Sequence, residues 1–303
     1  NYIMKMLRIA FLFSLLFFVQ LENGIAQSKK TKDNFSYAFG ILIGKNLSEQ
    51  LGLDYKQLDL KAMGQNLVAA LSDKKTEEEI TQASMDIQES AQAFIKAQEN
   101  GEKLPDIDEN ISKNFGLYFG SKLKKQGISP NVFNIKDFTK GFSAAMGKGK
   151  AKLEAEEAET IVTTKMQEKQ EQIGNENLKL GEKYLEEVAK KPNIKKTESG
   201  VYYEVLTEGE GEVPSAENTV TVHYHGTLID GKVFDSSVER GEIIQFGVTE
   251  VIQGWQDILV LMPTGSKWRV YIPASLAYGE MGSPGGITRN STLIFEIELF
   301  DFE

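Results

Sequence analysis

Between Val220 and Phe302 the sequence spaces a set of aromatic and branched apolar residues around a single acid. Tyr224, Phe234, Phe246, Trp255, Tyr278 and Phe295 supply rings, Val251, Ile252 and Ile287 supply branched side chains, and Asp235 directly follows Phe234. The chain has no cysteine, and its two histidines, His223 and His225, flank Tyr224 on an alternating segment, where they are expected to be exposed and without a ligand role. No serine, histidine and acid arrangement is present. The set therefore points away from nucleophilic and metal chemistry, toward work done by shape and polarity.

Reactions that need only shape and polarity break no covalent bond, and rotation about an X-Pro amide is the leading example. Its barrier is about 18–20 kcal/mol, which makes the unaided event slow. A dry apolar pocket disfavours the planar, charge-separated amide, and a donor aimed at the proline nitrogen or a neighbouring carbonyl favours the twisted form. Each residue also has a plainer reading. Phe234 and Phe295 taken alone fit an ordinary core, buried Tyr278 and Trp255 need polar partners in any fold, and Asp235 before Ser236 and Ser237 could cap a turn. The ordered set favours a pocket over a pure core.

In order and spacing these blocks resemble the FKBP-type peptidyl-prolyl cis-trans isomerases, from about Thr197 to Glu303. The resemblance implies a catalytic group of Asp235, Tyr278, Tyr224, Phe234 and Trp255, with Trp255 at the pocket floor. It implies a substrate-binding lining of Phe246, Val251, Ile252, Ile287 and Phe295. It further assigns the Tyr278 hydroxyl and the Ile252 backbone N–H as donors to ligand, and Arg240 as the charge partner that holds Asp235 ionised. The loop Gly282–Ile287 departs from the commonest pattern: Ser283 stands where eukaryotic members often carry histidine, and Gly286 replaces a bulkier apolar residue. The implied activity is peptidyl-prolyl isomerisation with no cofactor. A non-catalytic chaperone that merely docks proline-containing segments is the competing reading, and the presence of Asp235, Tyr278 and Trp255 together favours catalysis.

The elements that position this set follow from periodicity. From Gly200 onward the period is two, as in Val220–Tyr224, with hairpin signals at Asp230-Gly231 and Pro263-Thr264-Gly265. Val251, Ile252, Trp255, Ile258, Leu259 and Leu261 recur at helical spacing. The expectation is an α+β chain: an all-helical N-terminal region with a long linker helix, then a C-terminal antiparallel half-barrel sheet wrapped on one short helix, a curvature taken from the resemblance.

The helical region repeats itself. Phe39-Gly40-Ile41-Leu42-Ile43-Gly44 is matched by Phe115-Gly116-Leu117-Tyr118-Phe119-Gly120, and Met63–Leu71 by Phe138–Met146 with a shared Ala-Ala pair. Each copy resembles the helical N-terminal domain of the Mip- and FkpA-like isomerases, in which two chains intertwine as a homodimer. Two copies in one chain raise the expectation of an intrachain pseudo-dimer instead. The expected domains are a signal peptide at 1–26, repeats at 33–100 and 108–160, a charged linker helix at 155–192 and an isomerase domain at 196–303. The linker's sparse apolar residues read as a solvated spacer, which Gly174 and Gly181 would weaken or bend.

At the start, Lys5 and Arg8 precede an apolar run from Ile9 to Val19, and Gly24 and Ala26 follow. The run is too short for a bilayer core of about 30 Å and has the order of a secretory signal. The protein is thus expected to be exported, most simply to the periplasm, with secretion or surface association as the alternatives, and a lack of cysteine leaves it indifferent to the redox state of its compartment. A net charge of −10 argues against nucleic acid and anionic membrane surfaces as partners. Unfolded or proline-containing polypeptide clients are the expected partners.

Overall fold

The computed structural model describes residues 34–106, 109–283 and 286–303, so the expected leader at 1–26 and loop residues Pro284 and Gly285 lie outside the described residues. The chain forms two compact units that divide after Lys169.

The first unit is helical: α1 (Phe35–Leu51), α2 (Leu60–Leu71), α3 (Glu77–Asn100), α4 (Glu109–Lys125), α5 (Ile135–Ala145) and the first part of α6 (Ala155–Ala189). Local chemistry sets the boundaries. Asp59 caps α2 by accepting from the N–H groups of Lys61 and Ala62, Thr76 and Glu79 form a reciprocal capping box on α3, and Gly52 ends α1 in the left-handed conformation at φ 68°.

The two copies do not fold side by side. Helix α1 of copy one packs along α5 of copy two, and α2 of copy one packs along α4 of copy two. The close contacts are reciprocal. A Cβ at Gly40 would strike the backbone at Phe138 and Phe142, and a Cβ at Gly116 would strike the matching backbone at Met63 and Leu67. Gly44 similarly meets Phe142 and Ala145, and Gly120 meets Leu67 and Ala70.

Hydroxyls cross over in the same way: Ser112 Oγ accepts from the Asp59 N–H at 2.9 Å, and Ser36 Oγ from the Asn134 N–H at 2.8 Å. The correspondence extends to the third helices, where buried Ala83, Ile87 and Ala91 of α3 match buried Ala158, Val162 and Met166 of α6. Phe39, Phe115, Phe119, Phe138 and Phe142 fill the shared core, with Phe39 edge-on to Phe119 at 6.2 Å.

The second unit is an open, wholly antiparallel sheet of seven strands: β1 (Lys195–Lys196), β2 (Tyr202–Thr207), β3 (Thr219–Leu228), β4 (Val233–Ser236), β5 (Ile244–Gly247), β6 (Lys267–Ile272) and β7 (Leu293–Phe302). The order is β1-β2-β6-β7-β3-β4, with β5 also paired to β3. Alternation puts Val220, Val222 and Tyr224 of β3 and Phe295, Ile297 and Leu299 of β7 on the inner face. That face wraps the short helix α8 (Gln253–Leu259), which contributes Trp255, Ile258 and Leu259 to the core. A further turn of helix, α7 (Ser237–Arg240), follows β4 directly.

Helix α6 differs from the solvated spacer expected of its composition. It runs unbroken through Gly174 and Gly181, and both glycines are seats for neighbouring chain. A Cβ at Gly181 would strike the Thr292 hydroxyl, and one at Gly174 would press on Arg289. Asn177 Nδ2 donates to the Arg289 carbonyl at 2.7 Å, and Leu185 and Val188 are buried against Tyr271. Its apolar residues look sparse because they form two short sets, one in the helical core and one in a small cluster with Tyr271 in the second unit, and Leu180 between them stays 55% exposed. No helix among the described residues is long and apolar enough to cross a membrane.

The helical unit's tight glycine seats give a direct test. Gly40→Ala should destabilise it by about 1–3 kcal/mol through overpacking. Both tryptophans lie in the sheet unit, so urea unfolding followed by far-UV dichroism should shift to lower urea while the tryptophan fluorescence transition stays in place.

Candidate active site

The site grows from β3 and the segments that cross its concave face. Tyr224 stands on β3, Phe234 and Asp235 on β4, Phe246 on β5, Trp255 in the first turn of α8, Phe295 on β7, and Tyr278 just after the turn Ala274–Leu276. These residues, with Glu250, Val251 and Ile252, line one open cavity of about 310 Å³. Nine of the ten residues expected to form the pocket are therefore brought together.

Ile287 is the exception. It is not among the residues that line the cavity but is buried in the same core as Tyr224, Trp255 and Phe295, with its backbone bridged to Ser283. Glu250 is the lining residue that the aromatic pattern did not single out. It sits immediately before Val251-Ile252, and its carboxylate accepts from the Gly247 N–H at 3.2 Å.

Trp255 organises the rings. Phe295, Tyr224 and Phe246 meet it edge to face at 5.2, 5.5 and 5.9 Å, with interplanar angles between 83° and 87°. Phe234 then meets Phe295 at 5.4 Å and 86°. Gly226 on β3 makes the room, since a Cβ there would crowd both the Phe234 and Phe295 rings. The cavity wall is apolar by construction.

Into this wall the chain sets one charge. The Tyr224 hydroxyl donates to Asp235 Oδ2 at 2.5 Å, Arg240 pairs with Asp235 Oδ1, and Arg240 also donates to the Tyr224 oxygen at 3.0 Å. Burial pushes the Asp235 carboxyl up, but the hydrogen bonds from Tyr224 and Arg240 and the guanidinium charge outweigh it and hold the group below its ordinary value. Burial, and then the bond to Asp235, push the Tyr224 phenol up. Turn capping is left to the neighbour: Ser236 Oγ accepts from the Glu239 N–H at 3.1 Å, which frees Asp235 to face the cavity.

The Tyr278 hydroxyl and the Ile252 backbone N–H face the cavity without a partner among the described residues, and the buried Trp255 indole N–H also finds none. Burial, then the Asp235 charge, push the Tyr278 phenol up, so it stays protonated as a donor. The histidines are not the freely exposed pair expected. Both are half-buried on the outer face, with His223 Nδ1 2.9 Å from Ser237 Oγ and His225 Nδ1 3.0 Å from Ser236 Oγ.

Comparison with known proteins matches this geometry to a family. Residues 210–300 match the FKBP-type peptidyl-prolyl cis-trans isomerase family, and residues 32–105 and 108–205 each match the domain amino terminal to FKBP-type peptidyl-prolyl isomerase. The chain belongs to the FKBP-type peptidyl-prolyl cis-trans isomerases. The FKBP-type isomerase FkpA of Aeromonas hydrophila is 36% identical over 249 residues, 80% of this chain and 91% of that protein.

The FKBP-type 22 kDa isomerase of Escherichia coli is 54% identical over 121 residues, which is 40% of this chain and 59% of that protein. The crystal structure of FkpA from Escherichia coli superposes with a TM-score of 0.51 at 38% identity, covering 59% of this chain and 85% of that one. This isomerase thus carries its amino-terminal domain match twice, once for each copy of the reciprocal helical unit, ahead of one catalytic domain.

The ion pair in the isomerase pocket gives a titration test. A carboxyl whose folded pKa is depressed contributes stability that is present above its unfolded value of about 3.9 and is lost as pH falls through the folded value. The Asp235 carboxyl, followed by carbon-13 NMR, should titrate below about 3.9. In Arg240→Met the midpoint should rise, because burial is then less opposed; an unmoved midpoint would remove Arg240 from the charge balance.

Proposed function

We propose that this isomerase accelerates X-Pro rotation by seating the proline ring over Trp255, between Tyr224, Phe246 and Phe295, while the Tyr278 hydroxyl and the Ile252 N–H hold the flanking carbonyls. No bond to the enzyme forms. The dry aromatic wall removes the solvation that favours the planar amide dipole, and the ionised Asp235, locked by Tyr224 and Arg240, supplies a fixed field beside the twisting carbonyl. The observation that carries the reading is the pairing of a charged, fully partnered acid with the unpartnered Tyr278 hydroxyl and Ile252 N–H at one aromatic cavity.

Around this chemistry we place a folding function for exported polypeptides. The basic start, apolar run and small residues before Gln27 support export, most simply to the periplasm. The helical unit holds clients while the sheet unit works on their prolines. The reciprocal packing of α1 with α5 and of α2 with α4 occupies within one chain the faces that an intertwined partner would otherwise cover, which supports a monomer built as a pseudo-dimer.

Two experiments test these readings. Isomerisation of a Leu-Pro peptide by the full chain should fall in kcat/KM by about tenfold or more in Asp235→Leu and in Tyr278→Phe, since each loses on the order of 1.4 kcal/mol of transition-state stabilisation. Unchanged rates in both would move the chemistry away from these groups. Sedimentation equilibrium at micromolar concentration should return the monomer mass, and a stable dimer would sink the pseudo-dimer.

A further inference from the structure

The helical unit carries a groove that its own chemistry leaves unsatisfied. Six lysines line it, Lys61, Lys136, Lys140, Lys148, Lys150 and Lys152, over an apolar floor of Leu60, Ile135, Ala144 and buried Tyr37, and no carboxylate is among the lining residues. Its volume is about 660 Å³, twice that of the isomerase cavity. In a chain of net charge −10 this concentration of positive charge runs against the average. Lys61, Lys136, Lys150 and Lys152 form no ion pair with any described residue, and Lys140 has only Asp137 at 3.6 Å. Lys148 lies over the Tyr55 ring at 5.1 Å.

The internal repeat sharpens the point. The groove lies where the copies meet: Leu60 and Lys61 of copy one and their counterparts Ile135 and Lys136 of copy two all line it. Away from that junction the copies part. Lys140, Lys148 and Lys152 occupy positions at which copy one has Gln65, Asp73 and Glu77. Copy one also neutralises its charges, Asp73 with Lys124 and Lys75 with Glu79. In copy two Lys136, Lys150 and Lys152 line the hollow with no ion-pair partner among the described residues.

We propose that this groove binds an acidic polypeptide segment in which carboxylates alternate with apolar side chains, and so selects clients for the isomerase. The assignment rests on the client-holding role proposed above. Lysines without an ion-pair partner ask for anions, and the apolar floor asks for apolar groups between them. A hollow of this kind suits a chain better than a flat lipid surface. It also offers no stacking platform for bases, because Tyr37 is buried with its hydroxyl held by the Lys152 N–H at 3.0 Å.

The probe is a fluorescent peptide of alternating Glu and Leu without proline, titrated into the full chain by anisotropy. It should bind, the same peptide with Gln for Glu should bind at least about tenfold more weakly, and salt should weaken binding through screening. The triple variant Lys140→Gln, Lys150→Gln, Lys152→Gln alters exposed side chains only and should lose about tenfold in affinity. Leu-Pro isomerisation by that variant, measured on the same sample, should be unchanged, so failure of the groove and failure of the catalytic reading are told apart.

Equal affinity of the Glu and Gln peptides, or of the parent and the triple variant, would overturn the proposal. So would lysine-dependent binding of phosphatidylglycerol vesicles or a single-stranded oligonucleotide in place of the peptide.

Discussion

A carboxylate kept ionised in a wall of aromatic rings is the constraint from which the catalytic unit is built. Charge in an apolar recess is costly unless every lone pair finds a donor. The chain meets this with a local device, in which β4 presents Asp235, the single turn α7 swings Arg240 back, and β3 brings Tyr224 alongside. Ser236 takes over the capping of that turn, and Ser237 Oγ accepts from the Tyr224 N–H at 2.8 Å, so the serines fix the frame while the acid faces inward. Trp255 needs the same frame, since its three perpendicular ring contacts come from β3, β5 and β7.

The helical unit solves a different problem. An amphipathic helix pair with glycines on one face needs a partner close enough to touch backbone, and a single copy has none. Duplication supplies it at an effective concentration fixed by the connection between the copies rather than by protein concentration. The crossed hydroxyls of Ser36 and Ser112, each reaching the first residue before the other copy's second helix, set the register of that pairing.

Much of this was legible in the residues. Period two and hairpin signals marked the sheet, and the order of Tyr224, Asp235, Trp255, Tyr278 and Phe295 marked the cavity, because ring spacing along strands is a local property. The repeat was legible for the same reason. What escaped was set by tertiary contact. Ile287 reads as lining, and the structure buries it in the core behind the same rings. Glu250 carries no ring and so stood outside the pattern. Gly174 and Gly181 look like helix weaknesses until Arg289 and Thr292 are seen against them, and the thin stripe of α6 looks solvated until its residues divide between the helical core and the small cluster at Tyr271.

The reciprocal packing of the copies also bears on how such a chain can change over generations. Because the neighbour of each helix lies in the other copy, a drift in Phe138 is answered at Gly40, and a drift in Met63 at Gly116. The inherited module is thus a helix from one copy with a helix from the other, and the sequence repeat does not mark a separable domain. A recombination that deleted either copy would leave the survivor's glycine face bare, and that face would find its complement only on a second molecule.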